Sequence, residues 1–317
     1  MQSFGRRLSQ GFSTVFVSVC SVALVLASDW QPIELKFPKH DDKATLNITA
    51  IGIAGPDQAY LATSRSHLYL WDGKVLEEVK HNESGNPEWE IRNLVVNATD
   101  DIWAFGDNGL SIRFDGKDWN FVRNPLTGTG KRKGRLWGAA CAKPDLCFAG
   151  GHSGRLIKWD GNQWDEVNSP ADDARIYGMQ FTSPDSGWMV GAGFFARWDG
   201  KSWEKVELEA VPRMYGLALV GQDWGWAVGD RGVFYSYDGK KWQSANVKGS
   251  LFRLRSIACS TKVECWAAGE AGVVFKWDGD DWKRIKVGTT HRLTIVQMAQ
   301  ATNLIGGDQA TLLQSRN

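Results

Sequence analysis

The chain is short of the residues that carry chemistry. Its 317 residues include only 5 histidines, 5 cysteines, 5 methionines and 9 prolines. The histidines (His40, His67, His81, His152 and His291) share no metal-ligand spacing, and neither H-x-x-x-H nor H-E-x-x-H occurs. The nucleophile motif G-x-S-x-G is missing, as is the phosphate-cradling G-x-x-x-x-G-K-[ST]. The residues therefore offer no catalytic set, no metal site and no cofactor motif. Excess charge is missing too. With 37 basic and 36 acidic residues the net charge is +1, which argues against nucleic acid as a partner of the whole protein, though not against a local charged patch.

Long apolar runs are missing apart from one, from about Val15 to Ala27, preceded by Arg6 and Arg7. It is short for a spanning helix, which needs about 20 apolar residues. Its ending, Val25-Leu26-Ala27, has the small residues a signal peptidase reads. Residues 1–27 are expected to be an export signal, with an uncleaved N-terminal anchor as the alternative. Cleavage removes two positive charges, so the mature net charge is +1 − 2 = −1. The expected protein is exported, periplasmic or otherwise extracytoplasmic, and makes no direct membrane insertion once the signal is gone.

What the chain has in quantity is glycine, 35 residues, and tryptophan, 17 residues. Six times a short strand runs into an Asp-Gly turn, at Asp72, Asp115, Asp160, Asp199, Asp238 and Asp278. The steps are 43, 45, 39, 39 and 40 residues, and in all but the first copy a tryptophan follows three residues after the glycine. A period near 40 is the mark of a propeller. Aligned, the copies give a unit of four short strands: an opening strand, an aromatic-led strand ending in Gly, a third strand before Asp-Gly, and a last strand begun by the tryptophan. This is the antiparallel meander of one blade.

Six complete units fill 46–90, 91–134, 135–174, 175–212, 213–252 and 253–291. Residues 292–317 supply three strands of a seventh. The missing strand lies at the other end, where Asp29-Trp30-Gln31-Pro32-Ile33 reads like Asp281-Trp282-Lys283-Arg284-Ile285. The expected fold is a single all-β domain over 28–317, a seven-bladed β-propeller whose last blade is completed by residues 28–36. That closure removes the open edges of a linear array. Six or eight blades would leave one terminus without its complement.

The pairs Cys141 with Cys147 and Cys259 with Cys265 share a C-x5-C spacing, and each begins six residues after its unit's opening arginine. That position is the hairpin between first and second strands, where paired Cβ atoms come within disulfide reach. Two local disulfides follow, each worth roughly 2 kcal/mol by chain entropy. Zinc would need hairpins three blades apart to converge.

The arginines Arg92, Arg135, Arg175, Arg213, Arg253 and Arg292 are placed at one position in six units, with Asn47 in the first. First strands line a propeller's shaft, so these residues are expected to ring one mouth of it, with Lys131-Arg132-Lys133 beside them. Planar guanidinium forks suit carboxylates and phosphates on a partner. The competing expectation is internal pairing. Asp107, Asp230, Glu270 and Asp308 follow the second-strand glycine on the same face, and each can tie an arginine down. A second set of candidates is Trp137, Tyr177 and Tyr215, each two residues after an arginine, which suit a carbohydrate ligand.

Strings such as Ser186-Gly187-Trp188-Met189-Val190-Gly191 followed by Trp198-Asp199-Gly200-Lys201-Ser202-Trp203 resemble the BNR or Asp-box propellers. Among these the chain is most similar to the photosystem II assembly factor family and its YCF48-related bacterial relatives, blade by blade over the mature chain. That family commonly reads Asp-Gly-Gly-x-Thr-Trp, where this chain has an aromatic before a single Asp-Gly. The resemblance implies a non-catalytic propeller with an arginine patch, which helps assemble or stabilise a membrane complex. The partner would be a membrane-complex subunit or transporter, bound by a monomer. Sialidases share the Asp-box, but their arginine triad, Tyr/Glu pair and F-R-I-P start are not found. A lectin-like propeller is the first alternative, and a glycan-cleaving enzyme the second.

Overall fold

Each Asp-Gly turn is closed by its own aspartate. The amides of Lys74 and Val75 donate to Asp72 Oδ1 at 2.9 and 2.6 Å. The same pair of bonds recurs at Asp115, Asp160, Asp199, Asp238 and Asp278. The glycine that follows takes positive φ in every copy, from 87° at Gly239 to 101° at Gly279, a region that a side chain would strain. Amide donation holds the carboxyl of Asp72, and of its counterparts through Asp238, below the usual carboxylate range. At Asp278 the Lys283 ammonium contributes most, ahead of the amides.

These turns organise a seven-bladed β-propeller in the computed structural model, which describes residues 30–37, 46–81, 89–299 and 302–316. Blade 1 comprises Ile48–Gly55, Gln58–Thr63, Leu68–Trp71 and Leu76–Glu78. Blade 2 comprises Ile91–Ala98, Asp101–Gly106, Ser111–Phe114 and Trp119–Phe121. Blades 3 to 6 open with Leu136–Lys143, Ile176–Ser183, Met214–Leu219 and Leu254–Thr261. Each is a four-stranded antiparallel sheet in chain order. Blade 7 takes Leu293–Ala299, Thr302–Gly307 and Leu312–Arg316, and its outer strand is Gln31–Pro32. Gln31 pairs with Gln314 and Pro32 with Leu313, so the N-terminal strand does complete the last blade. Pro32 has no amide to donate, which an outermost strand tolerates. Residues 1–27, expected to be an export signal, lie outside the described residues.

Tryptophan holds blade to blade. The aromatic that leads the second strand of one blade packs on the Asp-Gly turn and fourth-strand aromatics of the next. Trp103 meets Trp159 and Trp164 with ring centroids 5.1 and 5.2 Å apart. Trp188 meets Tyr237 and Trp242 at 5.1 and 5.5 Å, and Trp226 meets Trp277 and Trp282 at 5.0 and 5.5 Å. At the seam Trp266 meets Trp30 edge to face at 5.1 Å, so Trp30 does for blade 7 what Trp282 does for blade 6. Offset and edge-to-face pairs of this kind add about 0.5–1.5 kcal/mol beyond area burial.

Both cysteine pairs are disulfides across their hairpins. Cys141 stands in direct register with Cys147, and Cys259 with Cys265. The two halves of each bridge have different surroundings. Cys141 and Cys259 are half-buried, whereas Cys147 and Cys265 are fully buried at 0% exposure. Directly paired residues share one face of the sheet, so the cause is position in the blade: the second strand is flanked by strands on both sides, whereas the first is an edge strand. Cys147 belongs to the core with Trp103, Trp159 and Trp164, and Cys265 to the core with Trp226 and Trp282. Cys147 and Cys265 are therefore core residues that anchor the hairpins from inside, and neither can meet a ligand. The bridges lie at the end of the molecule that carries the Asp-Gly turns. First strands begin at the opposite end, so the shaft mouth there is built from the opening residues and the turns after the second strands.

Candidate partner-binding site at the mouth of the shaft

Strand register fixes which residues are equivalent. Ile176 pairs with Gly191, Leu136 with Gly151, Met214 with Gly229, Leu254 with Gly269 and Leu293 with Gly307. The residue before each of these, at 135, 175, 213, 253 or 292, is the expected arginine. In blade 2, however, it is Ile91 that pairs with Gly106. The opening residue of blade 2 is therefore Glu90, and Arg92 stands two places further on, at the register of Trp137 and Tyr177. The backbone agrees with the shift, since the Asp107 amide donates to the Glu90 carbonyl as the Asp230 amide donates to that of Arg213. The ring of openers has five arginines, one glutamate and Asn47. The sequence carried the clue: Glu90-Ile91-Arg92-Asn93-Leu94 places a buried apolar residue directly after the opener, as every other blade does.

The position two after the opener faces the shaft. Around the ring it holds Thr49, Arg92, Trp137, Tyr177, Tyr215, Arg255 and Thr294, and residues from all of these blades line a mouth cavity of about 400 Å³. Trp137, Tyr177 and Tyr215 therefore come together, with centroids 5.3 Å apart for the first pair and 4.9 Å for the second. The arginines flank them. Arg135 and Arg175 lie 5.5 and 5.7 Å from the Trp137 ring, and Arg253 and Arg255 lie 5.6 and 5.0 Å from Tyr215. Members of both candidate sets, Arg135, Arg175 and Arg253 with Trp137 and Tyr215, are thus brought together at one mouth. Arg255, which completes the arc, was not singled out by sequence. The disulfide residues Cys141, Cys147, Cys259 and Cys265 take no part in it, being at the other end of the blades.

The acids after the second-strand glycines divide the arginines. Buried Asp107 accepts from Arg92 and from Arg135 of the next blade, at 2.6 Å each, and Arg92 also meets Glu90 at 2.7 Å. Asp230 accepts from the Tyr215 hydroxyl at 3.1 Å and from Arg253 of the next blade at 2.5 Å. Burial pushes the Tyr215 phenol up, with Asp230 adding to it, so it stays a neutral donor. Glu270 takes Arg255 at 2.5 Å and Asp308 takes Arg292 at 2.8 Å. Twice, then, an acid holds the shaft residue of its own blade and the opener of the next.

Blades 3 and 4 lack that acid. His152 and Ala192 occupy the position, their amides donating to the carbonyls of Arg135 and Arg175. The openers that such acids would hold are Arg175 and Arg213. Both are exposed, and neither has an ion-pair partner among the described residues. His152 packs 6.2 Å from Trp137, and burial together with Arg175, Arg135 and Arg132 holds its pKa below the ordinary 6.5. Lys131, Arg132 and Lys133 are exposed on the adjoining loop. The outcome is an arc over blades 3 to 5 with three aromatic rings and two exposed guanidiniums, Arg175 and Arg213, that no carboxylate among the described residues pairs. Among the described residues no group of three or more His, Cys, Asp or Glu could hold a metal ion.

Fold and mouth together define a seven-bladed propeller with a basic, aromatic shaft entrance. The expected likeness to YCF48-related propellers is seen in three dimensions. The chain is similar to YCF48 from Cyanidioschyzon merolae at 15% identity and TM-score 0.69, covering 92% of this chain and 99% of that one. A structure of YCF48 bound to D1 peptide gives 15% identity and TM-score 0.72, over 92% and 96% of the two chains. A catalytically inactive virginiamycin B lyase from Staphylococcus aureus, with quinupristin, gives 10% identity and TM-score 0.74 over 90% and 98%. What the chain shares with all three is the fold. A scan against protein-family models finds no match, and neither does a search of curated proteins.

Proposed function

We propose that this chain is a non-catalytic, exported propeller that binds a protein partner at the shaft mouth. On this reading it serves as an assembly or stability factor for a membrane-associated complex. The observation that carries the proposal is the local absence of the pairing acid. Where other blades neutralise their arginines, blades 3 to 5 leave Arg175 and Arg213 exposed beside Trp137, Tyr177 and Tyr215. A guanidinium with no internal carboxylate can form a bidentate bond with one from a partner, and the rings bury apolar surface alongside. The similar structure of YCF48 bound to D1 peptide supports a polypeptide as ligand for a propeller of this fold. Changing Arg175 and Arg213 together to Glu leaves no core residue altered. It is expected to leave the fold intact and abolish capture of the partner in a pull-down from the native envelope, and retained capture refutes the reading.

The three adjoining rings also suit a sugar face, which is the second reading. A glycan array answered by Trp137→Ala-sensitive binding, with Arg175→Glu/Arg213→Glu still active, would select it.

A further inference from the structure

Leu251 and Phe252 are 78% and 41% exposed, the one pair of adjacent large apolar residues so placed among the described residues. Val75 and Val263 are exposed singly, at the Asp-Gly end of the molecule. Leu251 and Phe252 form the tip of the loop between blades 5 and 6, on the face that carries the arginine mouth. The loop is held rather than loose. The Ser250 amide donates to the Val247 carbonyl at 3.2 Å, and Ser250 Oγ donates to the Gly232 carbonyl at 2.7 Å. The tip is thereby fixed to the turn that contains Arg231.

Cations surround it. The Arg284 guanidinium lies 5.9 Å from the Phe252 ring centroid, Arg231 is in the anchoring turn, and Lys248 is in the loop itself. Lys286 follows Arg284 by two residues on the same strand exit. All four are exposed, and none has an ion pair among the described residues. The acids nearby are already taken, Asp230 by Arg253 and Glu270 by Arg255.

We propose that the Leu251–Phe252 tip is an interfacial membrane contact, which seats this face of the propeller on an anionic lipid surface. Apolar side chains on a convex loop reach the headgroup–acyl boundary while the surrounding Lys and Arg meet lipid phosphates. A protein would need a pocket shaped to the tip and an acidic rim around it; a bilayer supplies both requirements without shape matching. No helix among the described residues is long and apolar enough to cross a membrane, and a peripheral contact needs none. The inference is independent of Arg175 and Arg213. It adds that the partner meets the mouth at the level of the membrane surface.

The test is co-sedimentation of the processed protein with phosphatidylcholine vesicles, with and without phosphatidylglycerol. Wild type is expected to sediment with the anionic vesicles only. Leu251→Ser/Phe252→Ser and, separately, Lys248→Glu/Arg284→Glu are each expected to bind about 10-fold more weakly. Leu251→Ser alone, at the more exposed position, repeats the test if the double variant loses its near-ultraviolet circular dichroism. No binding to anionic vesicles, equal binding to neutral ones, or undiminished binding by the folded variants overturns the proposal. So does loss of protein capture by Leu251→Ser without any vesicle binding, since a protein then covers the tip.

Discussion

Supplying the missing acids should silence the mouth without removing a single arginine. Ala192 forms an isolated antiparallel bridge with Arg213, so a carboxylate there is beside the guanidinium that the pattern assigns to it. His152 and Arg175 both lie beside Trp137 and the Arg175 charge reaches His152, and an aspartate at 152 takes the position that Asp107 holds for Arg135. The double variant His152→Asp/Ala192→Asp is expected to form two pairs like Arg253–Asp230, which is 2.5 Å long with Arg253 38% exposed. Part-exposed pairs of this kind are worth about 0.5–1 kcal/mol each. A partner must break both, so the expected loss is about 1–2 kcal/mol, or about 5- to 30-fold in Kd. The assay is titration calorimetry with the captured partner, run beside a thermal melt. The melting temperature should hold or rise slightly while affinity falls. An unchanged Kd in a folded variant refutes the reasoning, because it means that Arg175 and Arg213 carry no carboxylate contact.

Two further outcomes follow from the same structure. Trp30 is 1% exposed against Trp266, so Trp30→Ala should cost about 3–5 kcal/mol in guanidinium unfolding, and a loss under about 1 kcal/mol would count against a structural seam. His152 has a folded pKa below its ordinary 6.5, so on acidification the unfolded chain takes up the proton first. Stability should therefore fall as pH drops below about 6.5, and His152→Gln should flatten that dependence in melts recorded across pH 5–8.

The period of the Asp-Gly turn made the architecture readable because one aspartate and one glycine do the same local job in six of the seven blades. Trp30 was readable for the same reason, as the counterpart of Trp282. Spacing also paired the cysteines, but it could not tell that Cys147 and Cys265 are sealed in the core while Cys141 and Cys259 are not, because that depends on the neighbouring blade. The site was only half legible. Arginine identity drew attention to the opening position, but an arginine at the wrong register looks the same in a string, and Arg92 was placed with the openers although Glu90 holds that position. The decisive feature is a difference between blades. Asp107 reaches into blade 3 and Asp230 into blade 6, and such contacts between neighbouring repeats leave no mark on the spacing within one repeat. Aromatic convergence was hidden likewise, since Trp137, Tyr177 and Tyr215 are about 40 residues apart and adjoin only once the first strands stand side by side.

The seam has a consequence for how the protein comes to exist. Gln31 is among the first described residues delivered during synthesis and Gln314 among the last, yet they are strand neighbours. Blades 1 to 6 can each form as their own hairpins emerge, but no ring exists until nearly the whole chain is present. Closure is thus the most non-local and the latest step. On the export reading proposed above, that step can occur only after transport ends. The early strand that follows Trp30 must therefore be kept from other edges until its blade arrives, and a short strand of two residues containing proline is poorly made for pairing elsewhere.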